Sequence, residues 1–140
     1  MKALVIGATG ATGKDLVTQL LSDPDFKEVD VFVRKPVPIQ NPKLKTHIVD
    51  FDKPDEWKDL VKGDVAFSCL GTTLKTAGSK EAQQKVDYDY QYNFAKSARE
   101  NNVEDYVLVS SYGADSKSKI FYSKMKGDLE QSVKALHFNK

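Results

Sequence analysis

The most constraining feature of this chain is its opening. A run over residues 2–6, Lys2 followed by Ala3-Leu4-Val5-Ile6, passes directly into Gly7-Ala8-Thr9-Gly10-Ala11-Thr12-Gly13. A stretch with an apolar stripe at Leu16, Val17, Leu20 and Leu21 follows and ends at Pro24. A short apolar run without polar alternation suits a strand buried on both faces, which is the environment of a parallel sheet. The periodic stretch reads as a helix beginning at about Gly13. In the turn between them, Gly7 permits a tight exit from the strand. Gly10 lets backbone N–H groups approach an anion without a Cβ in the way, and Gly13 permits close helix–strand packing. Free N–H groups and the helix dipole make such a helix start an anion site. The order strand, glycine turn, helix therefore points to the phosphates of a dinucleotide. The spacing is G-x-x-G-x-x-G rather than G-x-G-x-x-G. Backbone groups of Thr9, Gly10, Ala11 and Thr12 complete the expected cradle, and the two threonines add hydroxyls.

The rest of the chain alternates short apolar runs with longer periodic stretches, as expected of β-α units on a parallel sheet. A second strand is expected over Val29 to Val33. Pro36, Pro38 and Pro42 make the next connection a loop. A third strand is expected over Thr46 to Val49. Pro54 suits the first turn of a short helix carrying Trp57, Leu60 and Val61, which Gly63 would end. A fourth strand is expected over Asp64 to Leu70 and a loop over Gly71 to Gly78. A long helix should run from about Ser79 to Asn101, with Val86, Tyr90, Phe94 and Ala98 on its buried side. A fifth strand is expected over Asp105 to Ser110. The last helix should cover about Phe121 to Leu136. Right-handed crossovers that reverse after the third strand give one α/β domain over residues 1–140, a Rossmann-type doubly wound parallel sheet in the order 3-2-1-4-5.

Composition narrows the partners. Of 140 residues, 40% are hydrophobic and 29% charged, which argues against disorder. No stretch approaches the ~20 apolar residues of a membrane span. The net charge of +1 gives no electrostatic reason to expect nucleic acid or a membrane surface. A lone cysteine, Cys69, suits a packing residue in a reducing compartment, and a cytoplasmic location is the expectation. His47 and His137 do not form a metal-site spacing.

Which dinucleotide binds depends on the end of the second strand. A carboxylate there accepts from the ribose 2′-OH of NAD, and a basic group favours the 2′-phosphate of NADP. Val33 is followed by Arg34 and Lys35, and Asp30 lies too early in the strand. NADP(H) is the expectation, with Arg34 on the phosphate and Lys35 assisting; solvated loop charges are the plain alternative. Asp50 and Phe51, after the third strand, are candidates for the adenine. Asp52 reads almost as well as a helix N-cap ahead of Pro54. Leu70, Gly71 and Thr72 follow the fourth strand, at the crevice edge where the cofactor should cross.

Tyr122 and Lys126 are four residues apart and share one face of the final helix. A lysine ammonium beside a phenol favours the phenolate, which makes a usable proton donor or acceptor near neutral pH. Ser110-Ser111 ends the fifth strand, and a serine hydroxyl there could hold a carbonyl oxygen. This combination resembles the short-chain dehydrogenase/reductase superfamily. Val49-Asp50-Phe51-Asp52-Lys53, Cys69-Leu70-Gly71-Thr72-Thr73, Lys85-Val86-Asp87-Tyr88-Asp89-Tyr90 and Ser110-Ser111-Tyr112-Gly113-Ala114-Asp115 look like one atypical branch, that of the Tat-interacting-protein oxidoreductases and their bacterial relatives. The resemblance implies NADP(H) binding by Gly7, Gly10, Gly13, Arg34 and Asp50, and Ser111, Tyr122 and Lys126 as the catalytic trio acting on a small carbonyl or alcohol substrate. Two departures stand out. Asp87 occupies a position where many relatives have Asn. Relatives also continue beyond the equivalent of Lys140 with a sixth strand and a substrate-binding segment. The chain is therefore expected to be the cofactor-binding part of a longer enzyme or a shortened form. A non-catalytic NADP(H)-binding regulatory or protein-interaction module is the rival reading. An uncovered fifth strand predicts association of copies through the last strand and helices, or marginal stability.

Overall fold

Strand β1 (Lys2–Ile6) lies at the centre of a parallel sheet. The computed structural model describes residues 1–8, 11–37, 41–69, 79, 81–82, 85–108, 128–129, 131–136 and 138. On one side β1 pairs with β2 (Glu28–Val33), which pairs with β3 (Leu44–Ile48). On the other side it pairs with β4 (Val65–Ser68), which pairs with β5 (Asp105–Leu108). Among the described residues the sheet has five strands in the order 3-2-1-4-5, as the crossover reasoning requires. Ile6 lies opposite Phe32 and Ser68, and Val33 lies opposite Ile48. The carboxyl ends of the strands therefore open onto one common edge.

Helix α1 (Ala11–Ser22) packs on one face of the sheet, where Val17 and Leu20 meet Ala3, Val5, Val29, Val31 and Phe26. Helix α2 (Gln91–Glu100) packs on the other, where Phe94, Ala95 and Ala98 meet Leu4, Ile6, Phe32 and Trp57. β1 is thus buried on both faces, and Ala3, Leu4, Val5 and Ile6 are all fully buried. Val133, Leu136 and Phe138 of the last segment pack on the α2 face, and Leu129 is fully buried. Trp57 anchors its segment in the core: its ring is buried and its Nε1 donates to the Asp50 carbonyl at 2.9 Å.

Three elements differ locally from expectation. α1 begins at Ala11, two residues before Gly13. The single short helix after Pro54 is instead two 3₁₀ turns, Pro54–Glu56 and Lys58–Leu60. Their tighter bonds, Trp57 N–H to Pro54 O and Leu60 N–H to Trp57 O, fit a segment whose central indole is tied to the preceding turn. The long helix starts where Ser79 suggested, with the Ser79 hydroxyl accepting from the Ala82 N–H at 3.1 Å. Further along, a π turn, Lys85–Tyr90, precedes α2. α2 ends at Asn101–Asn102, where Asn102 takes φ 65° and the buried Val103 N–H returns to the Ala98 carbonyl.

A buried charge sits on the α2 face of β2. Asp30 is 1% exposed; its Oδ2 meets His47 Nε2 at 2.9 Å and Lys2 Nζ at 3.5 Å. His47 also stacks on Phe32, with ring centroids 4.8 Å apart. Burial pushes the Asp30 carboxyl above its ordinary value, and neighbouring Glu28 adds to this against the opposing pull of His47 and Lys2. Glu28 moves down in exchange, chiefly through Asp30. A raised folded-state value means that, at pH between the ordinary and the raised value, the native protein keeps a proton which the unfolded chain has released. Stability from Asp30 is complete below the ordinary value of 3.8 and is lost as pH rises through the raised one. Asn at this position keeps the hydrogen-bonding shape without titrating. Asp30→Asn is expected to melt a few degrees above the parent at pH 8, with the gap closing toward pH 4 in thermal melts. A gap that does not change with pH would show that folding does not raise the Asp30 carboxyl.

Candidate dinucleotide-binding site

Gly7 and Gly13 have the geometry that their places in the turn suggested. Gly7 leaves β1 with φ 87°, a left-handed conformation that a side chain disfavours. Gly13 lies in the first turn of α1, directly against the end of β1. A Cβ on Gly13 would collide with the Gly7 carbonyl oxygen and come within 2.9 Å of the Ala8 Cα. The helix start is thus drawn against the strand end, and the free N–H groups of its first turn open at the carboxyl edge of the sheet. Ala11 and Thr12 begin that turn; Thr9 and Gly10 lie outside the described residues. Free N–H groups at such a helix start suit a phosphate anion.

Arg34 and Lys35 follow β2 at the same edge. Both are exposed, and among the described residues neither is in an ion pair. Asp30 is buried among Lys2, Glu28 and His47 lower on β2, so it does not reach this edge. Beyond β3, the exposed Asp50 accepts the Asp52 N–H on its Oδ1 at 2.9 Å, which shapes a turn. Phe51 is a wall of the core: it is 3% exposed, with its ring 6.0 Å from Trp57 and 5.3 Å from Tyr90.

Asp52 does more than the sequence suggested. The residue flanking the first 3₁₀ turn is Lys53, with no side-chain cap bond, so Asp52 is not a helix cap. Its Oδ1 instead pairs with Lys85 Nζ at 3.1 Å and accepts from Tyr90 OH at 3.1 Å. Lys85 and Tyr90 hold the Asp52 carboxyl below its ordinary value, and the Arg34 charge contributes. Asp52 in turn holds the Lys85 ammonium above its own. Burial and Asp52 raise the Tyr90 phenol. No local signal announces this group, because Tyr90 and Asp52 are 38 residues apart in sequence. Only the packing of the π turn across the end of β3 brings them together.

The crossing point of the crevice is partly described. Cys69 follows β4, and its N–H donates to the Ile6 carbonyl at 2.9 Å, carrying the β1–β4 pairing up to the edge. Burial pushes its thiol up to about 11, which suits a packing residue and not a nucleophile. Below it, the buried Ser68 hydroxyl donates to Gln91 Oε1 at 2.7 Å and ties β4 to α2. Leu70, Gly71, Thr72, Ser111, Tyr122 and Lys126 lie outside the described residues. Gly13→Ala is expected to abolish dinucleotide binding and to cost about 2 kcal/mol or more of stability, since helix or strand must move to admit the methyl group. Denaturant unfolding together with a cofactor titration checks this, and a variant of parental stability would contradict it.

Known proteins are similar to this chain at each of these levels. The family model described as NAD(P)H-binding matches residues 7–137. Protein FMP52, mitochondrial, from Eremothecium gossypii is 38% identical over 142 residues, covering 100% of this chain and 62% of that protein. The namesake from Saccharomyces cerevisiae is 36% identical, covering 99% and 61%, and that from Coccidioides immitis is 36% identical, covering 97% and 61%. The chain thus spans about three-fifths of the length of these relatives. Their names correct the cytoplasmic location expected above, because they are mitochondrial proteins. The physical reason is that composition and a lone cysteine report on solubility and redox state, whereas a mitochondrial address is read by receptors. The fold is shared with MoeE5 in complex with UDP-glucose and NAD, at TM-score 0.76 and 20% identity over 97% of this chain and 49% of that one. It is shared too with UDP-glucose 4-epimerase from Thermotoga maritima, at TM-score 0.80 and 13% identity over 97% and 51%. With its glycine cradle at the carboxyl edge of a 3-2-1-4-5 sheet, the chain belongs to the NAD(P)H-binding family of Rossmann domains.

Proposed function

We propose that this chain binds NADP(H) and acts as an oxidoreductase of the short-chain dehydrogenase/reductase type on a carbonyl or alcohol substrate. The observation that carries the NADP reading is Arg34. It leaves β2 at the crevice edge with no ion-pair partner among the described residues, while the carboxylate of the same strand, Asp30, is buried away from that edge. A guanidinium there can take a 2′-phosphate through paired, charge-assisted hydrogen bonds. Lys35 adds a second positive charge. In this reading Gly7, Gly13 and the first turn of α1 hold the pyrophosphate, and Asp50 accepts from the adenine amino group.

Bound NADPH supplies the hydride. Ser111, Tyr122 and Lys126 supply the rest in this reading. The Ser111 hydroxyl donates to the substrate carbonyl oxygen and orients it. Tyr122 delivers a proton to that oxygen, and the Lys126 ammonium lowers the Tyr122 pKa so that the transfer runs near neutral pH.

Calorimetric titration with NADPH and NADH tests the cofactor assignment. NADPH is expected to bind more tightly, and Arg34→Ala is expected to weaken NADPH about tenfold or more while leaving NADH nearly unchanged. Equal affinities in the parent would refute the NADP reading. The catalytic assignment has a separate test. Tyr122→Phe is expected to lower a measured carbonyl-reductase rate at least about a hundredfold without weakening NADPH binding. An unchanged rate would remove Tyr122 as the proton donor.

A further inference from the structure

One carboxylate after β3, Asp52, is paired with the Lys85 cation and also feels the charge of Arg34 after the neighbouring β2, at the end of the crevice assigned to the adenosine. Arg34 leaves β2, Asp52 leaves the neighbouring strand β3, and Lys85 reaches Asp52 from the π turn before α2. Left alone, a carboxylate at this place would repel a 2′-phosphate seated on Arg34 and would offer an acceptor to a bare ribose hydroxyl. Asp52 is not left alone. Lys85 Nζ and Tyr90 OH converge on the same oxygen, Oδ1, at 3.1 Å each. Tyr90 is 9% exposed, and its ring is packed 5.3 Å from Phe51, so the hydroxyl that orients the carboxylate is itself held by the core. Lys85 and Asp52 are about half exposed, with side-chain exposures of 55% and 48%, and so are open to an arriving ligand phosphate. Asp89 is the other acidic residue whose charge acts on Lys85.

We propose that Lys85 is a positioning residue for cofactor choice: by neutralising Asp52 beside Arg34, it allows a 2′-phosphorylated dinucleotide to bind where free Asp52 would favour the unphosphorylated one. The inference rests on the reading of Arg34 as the 2′-phosphate ligand and extends it to two residues that do not follow β2. Without Lys85, the negative charge of Asp52 faces the incoming phosphate unscreened. Without Asp52, Lys85 has nothing to neutralise and its loss matters little. The effect is electrostatic between partly exposed groups, so it fades with salt.

The test is a cycle of four proteins, the parent, Lys85→Gln, Asp52→Asn and the double variant, each titrated with NADPH and NADH at low and high salt. Lys85→Gln is expected to weaken NADPH about fivefold at low salt and NADH less than about twofold. Lys85→Arg should restore the parental ratio. In the Asp52→Asn background the Lys85→Gln penalty on NADPH should vanish. A penalty that persists undiminished there would mean that Lys85 acts on the ligand directly, and the proposal falls. Equal weakening of both dinucleotides would mark a purely structural role and also overturns it. Failure of the underlying NADP reading has its own signature: the parent binds NADH at least as tightly, and Arg34→Ala changes neither affinity. The Lys85 inference then survives only if Lys85→Gln still shifts the NADPH-to-NADH ratio toward NADH and Asp52→Asn cancels the shift. Absence of any dinucleotide binding overturns both.

Discussion

The approach of α1 to the end of β1 is the contact on which the rest of this molecule depends. Gly13 lies so close to the Gly7 carbonyl that no side chain fits between them. That contact sets where the helix begins and aims its free N–H groups along the carboxyl edge of the sheet. It also leaves β1 covered on both faces, with α1 over Ala3 and Val5 and the α2 layer over Leu4 and Ile6. A central strand buried on both faces explains why residues 2–6 lack the polar alternation of a half-exposed strand.

Parallel pairing then does the work of assembling a site. With every strand running the same way, residues just past the strand ends gather on one edge although they are far apart in sequence. Gly7, Arg34, Asp50, Asp52 and Cys69 all stand just past the carboxyl ends of their strands. The opposite half of the sheet has a different character. There Lys2, Glu28, Asp30 and His47 form a compact charge network under the α2 layer, with nothing of a phosphate cradle about it. The two ends of β2 thus divide its charges: the acidic pair, Glu28 and Asp30, is spent internally, and the basic pair, Arg34 and Lys35, faces outward.

Asp52 shows how the electrostatics of such a crevice are tuned from outside the strand ends. Its partners come from the π turn that precedes α2. Widened turns of this kind re-aim side chains that a regular helix would direct elsewhere. Here the widened stretch carries Lys85 and Tyr90, the two side chains that reach Asp52.

Much of this was legible in the residues themselves. The alternation of apolar runs with periodic stretches determined the strand count and, with the handedness of crossovers, the sheet order. Gly7 and Gly13 marked the close approach of helix to strand, and Val86, Tyr90, Phe94 and Ala98 marked the buried side of the long helix. These are local signals: a period, a turn residue or a missing Cβ acts within a few positions of itself. Tertiary structure alone decided what depends on distant partners. It turned the Trp57 segment into 3₁₀ turns through a bond to the Asp50 carbonyl, made Phe51 a wall of the core, and placed Asp30 against His47. It also joined Asp52 to Lys85 and Tyr90 across the mouth of the crevice. A carboxylate carries no mark in sequence of the cation that will neutralise it, because that pairing exists only once the sheet has brought two remote segments to the same edge.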